Sequence, residues 1–218
     1  MQSITVDSQL DGWHLAWARL VLDGPAADLA SLRHAVAERA RQRFGTRVPS
    51  DHPVIAAVRA LFRAAGCDPT RYRPSSEALL RRLLKGQELP AIHPFVDLNN
   101  ALSVDLLVPA CVLADGTFSP PLVFRRGEAG ETYESLRGPF NLEGKPLLAD
   151  AAGPFGTPIT DSERVKVGPE TRTAWLVAYL PAAALLPSAA DTTLDTLLEQ
   201  APGIHRGDGS PSVEAPPS

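Results

Sequence analysis

The residues between Arg59 and Lys85 hold the most pronounced chemistry in the chain. Arg59, Arg63, Arg71, Arg73, Arg81, Arg82 and Lys85 stand there against only Asp68 and Glu77. The whole chain carries a formal net charge of −4, so the asymmetry is regional, and an outright basic nucleic-acid binder is excluded. Such a patch attracts phosphate. Exposed amides at a helix start beside Ser75 and Ser76, flanked by Arg71 and Arg73, would seat an anion. The simpler use of these residues is a solvated helix face whose cations Arg81, Arg82 and Lys85 meet the negative end of the helix dipole. Charge alone leans to that simpler use.

A second polar concentration lies in AIHPFVDLNNALS, where His93, Asp97, Asn99, Asn100 and Ser103 interrupt an apolar run. Side-chain amides there would read a base edge or an amino-acid head group. Equally, the asparagines would brace a buried loop and His93 would cap a turn. Cys111, inside VPACVL, reads as a small buried hydrophobe, because no histidine or cation beside it lowers its thiol. The segment TDSERVKVGPET, residues 160 to 171, sets Asp161, Glu163, Arg164 and Lys166 together. A carboxylate among cations can position water, and it can equally pair across an exposed turn. The five histidines, at 14, 34, 52, 93 and 205, lack ligand spacing, and no glycine-rich phosphate loop is present. No metal, and no cofactor held by such a loop, is therefore expected.

These residues must be positioned by elements that the apolar pattern indicates. Residues 13 to 22 alternate as a strand, with Trp13, Leu15, Trp17 and Val21 on one face. Residues 28 to 43 form an amphipathic helix with Asp28 as N-cap and Gly45 beyond its end. A second helix starts near Asp51 and Pro53, buries Val54, Val58, Leu61 and Phe62, and stops at Gly66. In the third, Pro74 forbids helix behind it, Ser75 or Ser76 caps the start, Leu79, Leu80, Leu83 and Leu84 form the stripe, and Gly86 closes it. A short fourth helix covers residues 94 to 103. From Val104 the text becomes strand-like, over 104–113, 121–126, 131–136, 146–149 and 174–180. A last helix follows Asp191, and residues 201 to 218 read as a disordered tail.

The 218 residues are 44% hydrophobic and 21% charged, enough for one α+β domain with helices grouped early and strands late. The 21 prolines limit element length by fixing φ and removing donors. Cys67 and Cys111 have no paired spacing, so neither a disulfide framework nor a zinc knuckle is supported, and a reduced cytoplasmic setting is expected. No stretch approaches the roughly 18 apolar residues of a membrane span. Oligomeric state is not legible.

RYRPSSEALLRRLLKGQELP, then IHPFVDLNNALS, then ERVKVGPETRTAWLV resemble the B3/B4 domain of the phenylalanyl-tRNA synthetase β subunit, and more closely its free-standing relatives. The likeness runs from about residue 4 to about residue 200. It implies N-terminal helices packed on a mostly antiparallel, mixed sheet core. It also implies a trans-acting editing domain that hydrolyses the ester of mischarged tRNA, as the synthetase domain does with tyrosine on its tRNA. Editing in a second pocket is what small side-chain differences require. The partner would be the charged 3′ end of a tRNA, with water attacking the ester and backbone donors holding the oxyanion.

Carried over residue by residue, the resemblance puts Cys111 where the synthetase has an editing histidine and Glu163 where it has an editing glutamate. Ala114 and Gly116 fall at positions of two family aspartates, and AAGPFGTPIT, residues 151 to 160, replaces a tryptophan-rich stretch. The expected catalytic positions are thus Glu163 and Cys111. Arg71, Arg73, Ser75, Ser76, Arg81, Arg82, Lys85, His93, Asn99, Asn100, Arg164 and Lys166 would contact RNA or the amino acid. Two other functions fit the same residues: a non-catalytic tRNA or RNA-binding module, and a pocket for a free amino acid.

Overall fold

Apolar alternation sets the centre of the molecule. The computed structural model describes residues 5–208. In chain order its elements are β1 (Val6–Ser8), β2 (Trp13–Leu22), α1 (Ala30–Phe44), α2 (Pro53–Ala64), α3 (Ser75–Leu84), α4 (Pro94–Leu106), β3 (Ala110–Ala114), β4 (Leu122–Arg126), β5 (Thr132–Ser135), β6 (Gly138–Asn141), β7 (Pro146–Asp150), β8 (Gly153–Gly156), β9 (Thr173–Pro181), α5 (Pro187–Leu198) and β10 (Ile204–Arg206). One sheet is antiparallel throughout, in the order β10-β2-β9-β3. The other, β1-β4-β7-β8, is mixed, with β1 parallel to β4. Strands β5 and β6 form a separate hairpin. This is an α+β domain of the expected class.

β2 has the bounds that its alternation predicts, but not the single buried face. Ala18, Leu20 and Leu22 are more deeply buried than Leu15 and Val21. The reason is its place inside the sheet, with layers on both sides. Trp13 meets Phe124 of β4 at 5.9 Å, Tyr179 of β9 at 6.5 Å and Phe62 of α2 at 6.2 Å between ring centres. Aromatic rings thus fill the space between the two sheets, α4 and α5 cover the other face, and α1 packs on α4.

The helices differ from expectation mainly at their starts. Leu29, not Asp28, is the N-cap of α1, and it makes no side-chain cap bond. Asp28 instead pairs with Arg33 at 2.8 Å. Pro74 is the N-cap of α3, so Ser75 and Ser76 lie inside its first turn. Leu80 and Leu83 are fully buried there, while Leu79 and Leu84 are only partly so. Helix α4 runs three residues into the predicted strand. It stops only at Leu107, whose φ of 63° is left-handed, and Ser103 Oγ fastens that turn by donating to Val108 O at 2.7 Å.

The chain past residue 200 also differs from expectation. Ile204–Arg206 pairs with Leu20–Leu22 of β2, Ile204 is buried, and Arg206 reaches Asp191 at 3.0 Å and Asp195 at 2.7 Å. A three-residue strand is too short to show a period, and its order comes from pairing with a distant partner. The rest of the predicted tail, residues 209–218, lies outside the described residues. Among the described residues, no helix is long and apolar enough to cross a membrane.

Candidate functional site

Strand register builds the site. Tyr179 N donates to Pro109 O at 2.9 Å, and Ala110 is paired with Ala178 and Cys111 with Val177. In an antiparallel ladder hydrogen-bonded and open pairs alternate, so Ala110 turns its carbonyl away from β9, toward the free edge of β3. Asn99 of α4 meets it there, donating Nδ2 to Ala110 O at 3.3 Å. Tyr179 lies two residues from the partner of Cys111 and shares its face, with Tyr179 Oη 3.4 Å from Cys111 Sγ. The end of β8 and the loop after it lie over the face that Cys111 and Tyr179 share, where Gly156 bridges to Asp161.

Gly156 marks the point of convergence. A Cβ there would lie 3.6 Å from Asp161 Oδ1, 3.6 Å from Tyr179 Oη and 3.8 Å from Cys111 Sγ. The missing side chain leaves a niche the size of a methyl group, with three polar atoms turned into it. All three distances are ordinary contacts, so alanine fits without strain. Gly156→Ala is expected to hold the melting temperature within about 3 °C while weakening any ligand of the niche by about tenfold or more, read by paired thermal-shift and binding titrations.

Burial governs the electrostatics. Asp161 keeps part of its surface in solvent, yet its Oδ1 is shielded and has no hydrogen-bond partner. Burial pushes its carboxyl up to about 7. Burial likewise drives the Cys111 thiol and the Tyr179 and Tyr133 hydroxyls well above their ordinary values. These three groups are therefore neutral donors at physiological pH, and Cys111 lacks the lowered pKa of a thiolate nucleophile. Asp161 alone can gain or lose a proton near neutrality.

The Asp161 loop is held from three sides. Thr157 Oγ1 donates to Thr160 O at 2.6 Å and accepts from Ile159 N and Thr160 N. Tyr133 Oη donates to the same carbonyl at 2.6 Å. Ser75 N, at the start of α3, donates to Pro158 O at 3.0 Å. Beyond the loop, Arg164 grips Asp150 with two bonds of 3.1 and 3.0 Å and also reaches Gly153 O at 3.0 Å. Although burial opposes it, Arg164 and the Ser119 and Ala152 amides hold the Asp150 carboxyl below its usual range.

Of the expected catalytic pair, Cys111 lines the niche. Glu163 is exposed at the start of the turn Glu163–Val165, paired with Lys166 at 3.3 Å. The carboxylate beside Cys111 is that of Asp161, two residues earlier. Asn99, on α4, bonds the carbonyl of Ala110, the neighbour of Cys111 in β3, and Asn100 is buried on the same helix. His93 caps α4 by accepting from Phe95 N at 3.2 Å, with burial and then Arg172 lowering its pKa. Arg164 is occupied by Asp150, and Lys166 by Glu163.

The basic segment surrounds an internal anion. Glu77 is 1% exposed and is ringed by Arg59 at 2.9 Å, Arg81 at 3.0 Å and Arg73 at 3.7 Å. Arg82 is exposed and donates Nε to Glu88 O at 2.7 Å. Arg63, Arg71 and Lys85 are exposed. Ser75 and Ser76 cap nothing, and the Ser75 amide of the expected anion seat is taken by Pro158 O. Even so, that contact brings the arginine-bearing start of α3 against the Asp161 loop. A groove of about 690 Å³ between α1 and α5 contains none of these residues. Among the described residues, no three His, Cys, Asp or Glu side chains are grouped to hold a metal ion.

Tyr179, Tyr133 and Gly156 escaped residue-level reasoning, whereas Asp161 was legible as one acid of the TDSERVKV segment, though not as the one beside Cys111.

No curated protein matches the chain. Among solved structures it is similar to an N-terminal fragment of the phenylalanyl-tRNA synthetase β-subunit from Pyrococcus horikoshii, with 16% identity and a TM-score of 0.48. The match covers 93% of this chain and 50% of that one, so the chain spans half the length of the fragment. The family model described as the B3/4 domain matches residues 57–198. That is more than half of the sequence and includes α3, α4, β3, the Asp161 loop and β9, so the chain belongs to the B3/4 domain family.

Proposed function

We propose that this B3/4 domain acts in trans on aminoacyl-tRNA, taking the charged 3′ end beside the Asp161 loop and hydrolysing its ester. One observation carries the reading: Asp161 Oδ1 is shielded, unpartnered and aimed into the niche of Gly156, on a carboxyl that titrates near 7. A base with that pKa is half ionised at neutral pH and accepts a proton readily. Ionised Asp161 takes a proton from water as the water adds to the ester carbonyl. The tetrahedral intermediate then collapses, and the ribose hydroxyl leaves with the proton returned by Asp161. Tyr179, kept protonated by its burial, supplies a neutral hydrogen-bond donor beside the reacting centre. Exposed Arg71, Arg82 and Lys85, on the α3 side of the Asp161 loop, would meet the phosphates.

Single-turnover incubation with correctly and incorrectly charged tRNAs tests the reading. The expected result is faster release of the amino acid from at least one mischarged tRNA than in buffer. Absence of any acceleration across a full set of mischarged tRNAs overturns it. Binding that weakens steeply with salt, without hydrolysis, would instead identify an RNA-binding module.

A further inference from the structure

Lys145 is 2% exposed, and no carboxylate among the described residues pairs with it. Its only acceptors are distant, Glu143 O at 3.3 Å and Asn141 Oδ1 at 3.5 Å. An ammonium taken out of water normally requires an anion or a full set of short hydrogen bonds. Here aromatic faces take that place. Nζ lies 3.8 Å from the centre of the Tyr72 ring and 5.4 Å from that of Phe140, and the two rings meet edge to face at 6.2 Å. A desolvated cation is held strongly over such rings, and only where the rings are.

The place is a junction. Tyr72 belongs to the loop between α2 and α3, which is tied locally by Tyr72 N to Asp68 O at 2.8 Å and Thr70 N to Asp68 Oδ1 at 2.9 Å. Arg71 lays its guanidinium over the same Tyr72 ring at 5.2 Å. Phe140 stacks on Tyr133 at 6.0 Å, and Tyr133 holds the Asp161 loop through Thr160 O. Two segments distant in sequence, the Asp68–Pro74 loop and the stretch from β6 to Lys145, therefore meet at one ammonium, and Tyr133 links the second of them to the Asp161 loop.

We propose that Lys145 is a positioning residue. Caged by Tyr72 and Phe140, it holds the Tyr72 ring, and through it the Asp68–Pro74 loop, so that Arg71 is aimed at the phosphates of a bound RNA. The aim toward RNA rests on the tRNA reading above; the clamp on the loop does not.

The test uses the full chain with Lys145→Met, Tyr72→Phe, Tyr72→Leu, Arg71→Ala and the Lys145→Met/Arg71→Ala pair. The first readout needs no RNA: native-state trypsin cleavage at Arg71–Tyr72, followed by fragment mass. Arg73 precedes proline and is not cut, so this bond reports the loop. Lys145→Met and Tyr72→Leu are expected to speed this cleavage about tenfold, and Tyr72→Phe to leave it unchanged. The second readout is affinity for an acceptor-stem RNA hairpin. Lys145→Met is expected to weaken it about fivefold alone and to add nothing in the Arg71→Ala background.

Unchanged cleavage in both Lys145→Met and Tyr72→Leu overturns the clamp, whatever happens to binding. An equal loss of affinity in both backgrounds overturns the aiming of Arg71. If the wild-type chain binds no RNA, the tRNA reading and the aiming role fall together, while cleavage still decides the clamp. Should Lys145→Met not fold, the two Tyr72 variants answer the same question.

Discussion

Asp161→Asn is expected to slow deacylation by about a hundredfold or more, while Glu163→Gln stays within about twofold of the wild type. The two acids are two residues apart, so the contrast is a sharp one. Glu163 is exposed and held by Lys166, whereas Asp161 turns a shielded oxygen into the niche. After subtraction of the uncatalysed rate, the wild-type rate should rise with pH as Asp161 ionises and level off above about pH 7. Comparable losses in both variants, or a profile flat through that range, would remove Asp161 from the reaction.

The same carboxyl makes a stability prediction whose sign is fixed. Its folded value, about 7, lies above the unfolded value of about 3.9, so between them the folded chain binds a proton that the unfolded chain has lost. Stability from this group is full below about pH 4, falls as pH rises toward about 7, and is level beyond. The slope is at most about 1.4 kcal/mol per pH unit, and Asp161→Asn should abolish it in urea denaturation between pH 4.5 and 7 (a window set by roughly those two values).

The second large effect is structural. Glu77→Ala is expected to cost about 3–5 kcal/mol, because it leaves Arg59, Arg73 and Arg81 around a buried vacancy with no counter-charge. For a chain of this size that is a melting temperature lower by roughly 10 °C. Arg59 should dominate, being 14% exposed, whereas Arg73 and Arg81, at 40% and 42%, are screened by solvent. Replacing Glu77 and Arg59 together with apolar residues should recover part of the loss, as measured by thermal unfolding. A cost below about 1 kcal/mol for Glu77→Ala alone would mean that water already compensates all three cations.

Glu77 also shows what the sequence could and could not disclose. It stands three residues before Leu80, on the apolar stripe of α3, so its burial was written in the helical period. The ring of arginines was not, because Arg59 comes from another helix and joins it only through packing. β2 could be read to its bounds, since alternation and bulky aromatic residues agree over ten positions. Its double burial depended on layers formed by later chain. The pairing of Cys111 with Tyr179 spans 68 residues and comes from β3–β9 register. The choice between Asp161 and Glu163 hung on one bridge from Gly156 across a loop. Neither has any local signature.

The outermost strand, β10, shields the rim of β2 with three residues that lie after the point where hydrophobic periodicity ends. A fragment trimmed at residue 200 would strip that cover, leaving Arg19, Val21 and Asp23, whose backbone groups face β10, ready to accept a strand from another molecule. Boundaries drawn for expression or for fusion should therefore run past Asp208, because the few residues that seem dispensable are the ones that keep neighbouring copies from sticking together.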